Sequence, residues 1–557
     1  MKLLLNKKGY KVYKIQKMHA SFREAIKKLN EFILIDKSDI VDIFVFATMA
    51  SVVGLTLPLG LQAIIGFFIS GAFSASIVLL IFLIVIGTFV YGLLQIRQLQ
   101  ILQKLKQKIF YRFSMAYIIH IPKLDIEKSN IYNLPEMVNR FFDTLTLQKG
   151  YQKLLLDIPM AVIQIILGLV LLSFYHPLFI GFGFILVAVL YAILYYTGSK
   201  GYESGVEASD YKYKVAGWIE EVARIAFSFK FSQNKFHIKK QDELVSKHIE
   251  AKNKHFKVHL IQYWSLIGFK VIITAIMLIL GAFLLLNEEI NIGQFIAADI
   301  VIIAIMASIE KVIISVDTFY DSIIGLQKLQ KVLKMPKEQN GSIIFDDKIG
   351  YDFEIENLNY SKPDSPLFRN LSTSFPSGSK TLILGNSGSG KSFLIKSLLG
   401  VYNDYEGQIL LNGLSIKTYD LDSMRKKIAV FMDQFELFNG NILENITFLE
   451  DKSLAHITDI LKIIGLEDFV NKLPEGLHFQ INSNNNTLPT HIRKKILLCR
   501  TLLLDAKLYI LENPFEFLDE NACIQILEYL RHKEATVIIT SYNDSYKNLF
   551  DKTIELK

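Results

Sequence analysis

The stretch Gly385–Ser392 reads G-N-S-G-S-G-K-S and lies between two apolar runs. The run before it, Thr381–Leu384, predicts a strand, and the run after it, Phe393–Leu399, predicts the start of a helix. A strand, a glycine-rich loop and a helix in this order form the G-x-x-x-x-G-K-[ST] phosphate-binding loop. The stretch therefore predicts a P-loop nucleotide-binding domain of α/β class around it.

The residue types in this loop suit contact with phosphate. Its glycines let successive backbone N–H groups turn inward, and the following helix N-terminus adds a positive dipole end. Lys391 would neutralise the β- and γ-phosphates of ATP, and the Ser392 hydroxyl would ligate Mg²⁺. An ordinary glycine-rich turn is the alternative interpretation. The predicted nucleotide-binding residues in the loop are Gly385, Asn386, Ser387, Gly388, Ser389, Gly390, Lys391 and Ser392.

Length and composition indicate a membrane protein with an attached soluble domain. The chain has 557 residues, of which 51% are hydrophobic, and a mean hydropathy of +0.31. This is too long for one domain and too apolar for a soluble one. The net charge of +7 is a mild excess, so we expect no nucleic-acid partner. With only Cys499 and Cys523, the chain has no disulfide framework and suits a reducing compartment.

Six apolar stretches are each long enough to cross a bilayer as a helix. Pro58, inside the first of them, predicts a kink, because proline removes a backbone donor. The lipid bilayer is therefore a predicted partner. The six spans are approximately Ile43–Phe68, Ile77–Leu94, Leu154–Phe174, Leu178–Tyr196, Trp264–Leu286 and Gln294–Ser315.

The connections between the spans alternate in length and charge. Two long connections, Gln95–Lys153 and Thr197–Tyr263, are rich in lysine and arginine, and the short ones contain neither. The positive-inside rule places both long connections and both termini in the cytoplasm. Helical spacing of their apolar residues predicts that the long connections continue the membrane helices outward.

The predicted organisation has four parts. Residues 1–39 form a cytoplasmic N-terminal segment, 40–325 the transmembrane domain, 326–344 a linker and 345–557 the nucleotide-binding domain. Ser21–Ile35 has the spacing of an amphipathic helix, which either lies on the membrane surface or packs as an ordinary helix. Lys270 and Glu310 fall at similar depth in their spans and are a candidate ion pair. Independent snorkelling of each is the alternative.

The combination of six spans with this loop resembles a fused ABC exporter half-transporter over nearly the whole chain. Asn291–Ala298 (N-I-G-Q-F-I-A-A) is similar to a segment of type I secretion and peptide exporters. Gly407–Gly413 and Leu437–Ile446 match landmarks of the nucleotide-binding domain. The resemblance implies an integral protein of the bacterial inner membrane that works as a homodimer, or as a heterodimer with a second half-transporter. Components of a secretion system are further implied partners.

The landmarks locate the family's functional positions, and several residues there have changed. The aromatic that stacks on adenine lies just before a proline such as Pro363, where this chain has Lys362 and Ser361, so Tyr360 is the candidate substitute. The glutamine that senses the γ-phosphate corresponds to Asp433, a candidate Mg²⁺ ligand.

The signature L-S-G-G-Q falls on Leu488–Ile492, which reads L-P-T-H-I, and so loses a backbone donor and two glycines. Glu512-Asn513 replaces the Asp-Glu pair that follows the Walker B strand. Glu512 remains a candidate Mg²⁺ ligand, but the amide of Asn513 cannot act as a general base. Ser541 replaces the histidine that contacts the γ-phosphate.

The whole phosphate loop beside these replacements predicts a domain that binds ATP–Mg²⁺ with impaired hydrolysis. We assign no catalytic residue. The first interpretation is a degenerate exporter half that works beside a competent partner chain or as an ATP-gated homodimer. The alternatives are a non-transporting membrane scaffold or regulator, and an ordinary ATP-hydrolysing exporter.

Overall fold

A computed structural model describes residues 4–5, 11–12, 21–69, 75–129, 134–346, 348–362, 365–482 and 488–556. The chain divides by its contacts into two compact units. One contains 14–124 and 131–335, which we call the membrane unit. The other contains 1–13, 125–130 and 336–557, which we call the nucleotide unit.

The membrane unit is helical throughout its described part. Six helical stretches among its described residues are long and apolar enough to cross a membrane, as the sequence predicted. Its helices are α1 Phe22–Ile33, α2 Lys37–Gly54, α3 Thr56–Ile69, α4 Ala75–His120, α6 Leu134–Val138, α7 Asp143–Gln152, α8 Ile158–Tyr175, α9 Leu178–Arg224, α10 Ala226–Phe229, α11 Phe236–Leu286 and α12 Ile292–Leu333; α5, Ile126–Ser129, belongs to the nucleotide unit.

Helices that contain apolar spans continue past the apolar residues without a break. The 47 residues of α9 correspond to a length of about 70 Å, so the predicted helical extensions are confirmed. The first span is interrupted at Leu55, between α2 and α3. Pro58 explains the break, because it cannot donate to the carbonyl four residues earlier. α12 continues to Leu333, so the first residues of the segment predicted as a linker are helical.

The amphipathic helix α1 packs inside the membrane unit. Ser21 caps its N-terminus by accepting a hydrogen bond from the Glu24 backbone N–H at 3.3 Å. Its apolar residues Ala25, Leu29 and Phe32 are buried in one cluster with residues of α4 and α12. Of the two sequence interpretations, the structure supports the packed helix, because its apolar face is covered by protein.

Two ion pairs among the described residues link charged side chains of different spans. Lys270 of α11 donates to Glu310 of α12, which confirms the predicted pair. Asp157 contacts Lys153 at 2.8 Å and Lys311 at 3.2 Å. Pairing lowers the cost of placing such charges in an apolar surrounding.

The nucleotide unit is built on a five-stranded parallel sheet with the strand order β13-β5-β12-β11-β8. A four-stranded antiparallel sheet, β4-β3-β6-β7, lies in the same unit. The described strands of the whole nucleotide unit are β1 Leu4–Leu5, β2 Lys11–Val12, β3 Phe353–Lys362, β4 Ser365–Phe375, β5 Lys380–Gly385, β6 Glu406–Leu411, β7 Leu414–Ser415, β8 Ile428–Phe431, β9 Gly440–Asn441, β10 Gln480–Ile481, β11 Leu508–Glu512, β12 Thr536–Ser541 and β13 Lys552–Leu556.

Apolar side chains pack on both faces of the parallel sheet. On one side Phe393, Leu394 and Leu398 are buried in a cluster with strand residues, which anchors the helix after the phosphate loop. The remaining helices of the unit are α13 Lys391–Leu398, α14 Leu421–Arg425, α15 Ile442–Thr447, α16 Leu454–Ile464, α17 Glu467–Lys472, α18 Thr490–Leu502 and α19 Glu520–Arg531. The predicted combination of a helical membrane domain and an α/β nucleotide-binding domain is confirmed.

Candidate nucleotide-binding site

The parallel sheet brings three sequence-distant segments to one edge. Strand β12 pairs with β5, with Ser541 opposite Leu384, and also with β11, with Glu512 opposite Thr540. Because all three strands run parallel, their carboxyl ends meet at the same edge. The phosphate loop therefore lies beside the ends of β11 and β12.

Two glycines of the loop have backbone conformations that side chains disfavour. Gly388 has φ +87° and Gly390 has φ +93°, both in the left-handed region. A Cβ atom on Gly390 would also lie 2.5 Å from Cζ of Phe368. Of the two glycines that the motif fixes, Gly390 is thus required by this backbone.

The loop has an unused polar atom that suits a phosphate group. The Ser389 hydroxyl is buried and has no hydrogen-bond partner among the described residues, and a buried unpaired hydroxyl is costly. Space is also left open around Gly388, where an added Cβ would meet nothing within 4 Å. The loop therefore fits the nucleotide that its sequence predicts.

Lys391 folds back over the loop. Its Nζ donates to the carbonyl of Gly385 and, at 3.0 Å, to that of Asn386. The ammonium also lies 3.9 Å from the ring centroid of Tyr542, a cation–π distance. Burial lowers the pKa of Lys391, while the Glu512 carboxylate opposes this shift. The ammonium is held at the loop, where phosphate oxygens could take the place of its carbonyl partners.

The two strongest candidate Mg²⁺ ligands contact each other. The Ser392 hydroxyl donates to Oε1 of Glu512. The Asp433 backbone N–H donates to Oε2 of the same glutamate at 3.3 Å. Glu512 is only 6% exposed, so its carboxylate is fixed between the helix after the loop and the β8 end. A hydroxyl and a carboxylate oxygen are the hard ligands that Mg²⁺ prefers.

The third candidate ligand is not part of this pair. Oδ1 of Asp433 accepts a hydrogen bond from Lys494 of α18, and the Asp433 side chain is largely exposed. Its neighbour Gln434 accepts from Lys396 at 3.0 Å. The structure therefore brings Ser392 and Glu512 together and holds the carboxylate of Asp433 on a lysine.

Asn513 occupies the position where a general base is expected, and its amide is tied to β12. Its backbone N–H donates to the Thr540 carbonyl at 3.1 Å, and its Oδ1 accepts from the Thr540 hydroxyl at 3.2 Å. Ser541 is 4% exposed and donates to the Asn543 carbonyl at 2.9 Å. Neither side chain can take up a proton at neutral pH.

Tyr360 stacks on the residue that follows the loop. The centroids of Tyr360 and Phe393 are 3.8 Å apart, with an interplanar angle of 28°. The ring is half-buried and burial raises the pKa of its hydroxyl. Its place beside α13 is compatible with stacking on a base. The landmark Pro363 lies outside the described residues.

The segment at the signature position begins α18 with exposed residues. Pro489, Thr490 and His491 are exposed, and the Thr490 hydroxyl accepts from Arg493 at 3.2 Å. Leu488 and Ile492 are buried in the unit's apolar core. The helix therefore begins at Thr490, and exposed side chains cover its N-terminal end.

Sequence reasoning missed Tyr542, Lys494 and Thr540. Tyr542 directly follows Ser541, so its place beside the loop could have been inferred once β12 was set next to β5. The contacts of Lys494 and Thr540 depend on how α18 and β12 pack, which no local pattern reveals.

Comparisons with known proteins agree with this fold. Residues 368–516 match a family described as "ABC transporter". An "ATP-dependent lipid A-core flippase" of Xylella fastidiosa is 30% identical over 272 residues, covering 48% of this chain and 46% of that protein. "Alpha-hemolysin translocation ATP-binding protein HlyB" of Escherichia coli O157:H7 is 27% identical over 302 residues, covering 53% and 43%. The chain thus spans less than half the length of these curated relatives.

The solved "Structure of a bacterial Atm1-family ABC exporter with ATP bound" has the same fold. The TM-score is 0.81 with 16% identity, and the match covers 94% of this chain and 93% of that one. The chain therefore has the architecture of an ABC exporter half-transporter, a six-helix membrane domain followed by an ABC-type nucleotide-binding domain.

We expect Lys391→Ala to weaken ATP–Mg²⁺ binding at least about tenfold, because a charge-assisted contact to phosphate contributes about 1.5–3 kcal/mol. Binding would be measured by equilibrium titration of the purified full chain with a fluorescent ATP analogue. Lys462→Ala is the matched control, since its side chain is 58% exposed on α16. Equal affinity of wild type and Lys391→Ala would contradict the site.

Proposed function

We propose that the chain is one subunit of an ABC-type exporter that binds ATP–Mg²⁺ at its phosphate loop and hydrolyses it poorly. The loop Gly385–Ser392, with Tyr360 beside it, would hold the nucleotide. Ser392 and Glu512 would hold Mg²⁺, which neutralises phosphate charge when bound. The Asp433 carboxylate would become a further Mg²⁺ ligand only after its hydrogen bond from Lys494 is broken.

The proposal that ATP hydrolysis is impaired rests on one observation. Glu512 contacts Ser392 in an intact binding site, while the next residue, Asn513, has a neutral amide bonded to Thr540. Binding needs the first pair, and proton removal from an attacking water needs a base at the second position. The proposal is therefore that the site holds the nucleotide, while the amide at position 513 supplies no base to activate water.

Dimer formation is a further part of the proposal. In ABC exporters each ATP lies between the phosphate loop of one subunit and the signature of the other. Here the signature position presents Pro489, Thr490 and His491, so a second copy of this chain would lack the backbone donor that Pro489 removes and would place two side chains where those exporters have glycines. In a heterodimer, a competent half-transporter would supply a complete signature to the site built on Lys391. The resemblance to type I secretion exporters adds secretion-system components as further proposed partners.

Two other functions make different predictions. A membrane scaffold would bind ATP without any effect of nucleotide on the membrane helices. An ordinary exporter would hydrolyse ATP alone at a rate that depends on Lys391. The tied amide of Asn513 favours the impaired subunit over the ordinary exporter.

We expect the purified chain to show no more ATPase activity than its Lys391→Ala variant. A general base typically contributes a 10²- to 10⁴-fold increase in rate. Asn513→Glu alone should raise the ATPase rate by far less, because Ser541 and the residues at the signature position would still differ from those of the exporters. Steady-state phosphate release by the chain in lipid nanodiscs would measure this. Robust release that Lys391→Ala abolishes would show an ordinary ATPase instead.

The proposal includes the bacterial inner membrane, on the basis of the resemblance to bacterial exporters. It also includes both termini in the cytoplasm, on the basis of the basic long connections. Asn287→Cys, at the exposed end of α11, should react with an impermeant thiol reagent from outside the cell. Asn234→Cys, in the exposed turn before α11, should react only after the membrane is opened. Background is low, because Cys499 and Cys523 are buried. The reverse pattern would contradict this orientation.

A further inference from the structure

Two histidines and an aspartate meet in the membrane unit, just beyond the apolar parts of α11 and α12. His255 and His259 are four residues apart on α11 and so share one face of the helix. Their Nε2 atoms are 3.2 Å apart. Oδ1 of Asp317, on α12, lies 3.2 Å from Nε2 of His255 and 2.9 Å from Nε2 of His259. Three potential metal-ligand atoms thus form a nearly regular triangle.

The protonation of His259 is set by a relay of hydrogen bonds. The Thr197 hydroxyl donates to the Ile193 carbonyl at 2.6 Å and accepts from Nε2 of Gln262 at 2.8 Å. This orients Gln262 so that its Oε1 faces Nδ1 of His259 at 3.1 Å. An amide oxygen can only accept, so Nδ1 of His259 carries a proton. In the neutral ring, Nε2 then has a free lone pair.

The second ring is oriented in the same way. The Ser204 hydroxyl donates to the Lys200 carbonyl at 2.8 Å and is 3.0 Å from Nδ1 of His255. With its own proton used, the hydroxyl accepts from that nitrogen. The Nε2 lone pair of His255 therefore also faces the centre of the triangle.

Two imidazole lone pairs and a carboxylate oxygen at these distances repel one another unless a proton or a metal cation lies between them, and a metal ion would satisfy all three atoms at once. Ligands about 2.0–2.1 Å from a tetrahedral Zn²⁺ ion lie about 3.3 Å from each other. The observed edges of 2.9–3.2 Å are within a few tenths of an ångström of that value. Outer hydrogen bonds to both Nδ1 atoms are also typical of metal-binding histidines.

We propose that His255, His259 and Asp317 bind a divalent transition-metal ion, Zn²⁺ by preference, that links α11 to α12. Nitrogen from two imidazoles with one carboxylate oxygen is a ligand set that Zn²⁺ accepts, and three protein ligands leave a fourth position for water. This site lies in the membrane unit and does not rest on the function proposed for the nucleotide unit.

The residues around His255 and Asp317 leave room for an ion and a route by which it could enter. Gly205 of α9 faces the ring of His255, since an added Cβ would lie 3.1 Å from its Cε1. A cavity of about 280 Å³ borders His255 and is also lined by Lys252 and Asp321. The His255 side chain is 2% exposed, whereas that of Asp317 is 46% exposed. An ion could therefore reach the buried rings from the aspartate side.

The test uses the full chain in detergent, purified with a histidine-free tag and treated with a chelator. We expect one Zn²⁺ per chain by calorimetry, and the visible absorption bands of tetrahedral Co²⁺ when that ion is used as the probe. His259→Gln and Asp317→Asn should each lower the affinity at least about tenfold. Zn²⁺ should raise the melting temperature of wild type and not that of Asp317→Asn.

His248→Gln is the matched control. His248 lies on the same helix, and its Nδ1 faces the Ala208 carbonyl at 3.1 Å, outside the triangle. Its substitution should leave binding unchanged. Asp317→Asn keeps the side-chain shape at a half-exposed position, so the test remains decisive if the histidine variants fold poorly. Absence of Zn²⁺ and Co²⁺ binding at micromolar concentration, or equal binding by all variants, would overturn the proposal.

Discussion

The parallel alignment of β5, β12 and β11 is the constraint on which the nucleotide unit depends. These strands are buried, and their register places the phosphate loop, Glu512 and Ser541 at one edge of the sheet. A parallel pair needs a crossover connection, and Ser392 and Glu512, which meet here, are 120 positions apart in sequence. The Ser392–Glu512 contact is the direct product of this alignment. It places a hydroxyl donor beside a buried carboxylate, which also accepts from the Asp433 backbone N–H.

Patterns with local causes could be predicted from the sequence. The phosphate loop, its flanking strand and helix, the six apolar spans and their helical extensions all follow from periodicity or from residue types required at neighbouring positions. The break at Leu55 follows from Pro58 in the same way. The Lys270–Glu310 pair was also predictable, because the helical rise fixes the depth of each residue along its span.

Features that depend on packing between distant elements could not be predicted. Periodicity showed that α1 is amphipathic, but only the structure shows that protein covers its apolar face. Asp433 was a reasonable Mg²⁺ ligand by position, yet Lys494 on α18 holds its carboxylate. His255 and His259 have a recognisable spacing on α11, but Asp317 lies 58 residues further along the chain than His259, and only helix packing brings it to them.

The proposed function depends on the contrast between a complete phosphate loop and a neutral amide near it. Lys391 and Ser392 belong to the loop motif, Glu512 contacts Ser392, and Asn513 is held by Thr540. The most direct measurement of this contrast is the identity of the bound nucleotide. The purified chain would be incubated with radiolabelled ATP–Mg²⁺ at substoichiometric concentration, separated from free nucleotide and analysed by chromatography. The account predicts that intact ATP is retained over hours by wild type and not by Lys391→Ala. Conversion of the bound ATP to ADP within minutes, dependent on Lys391, would contradict it.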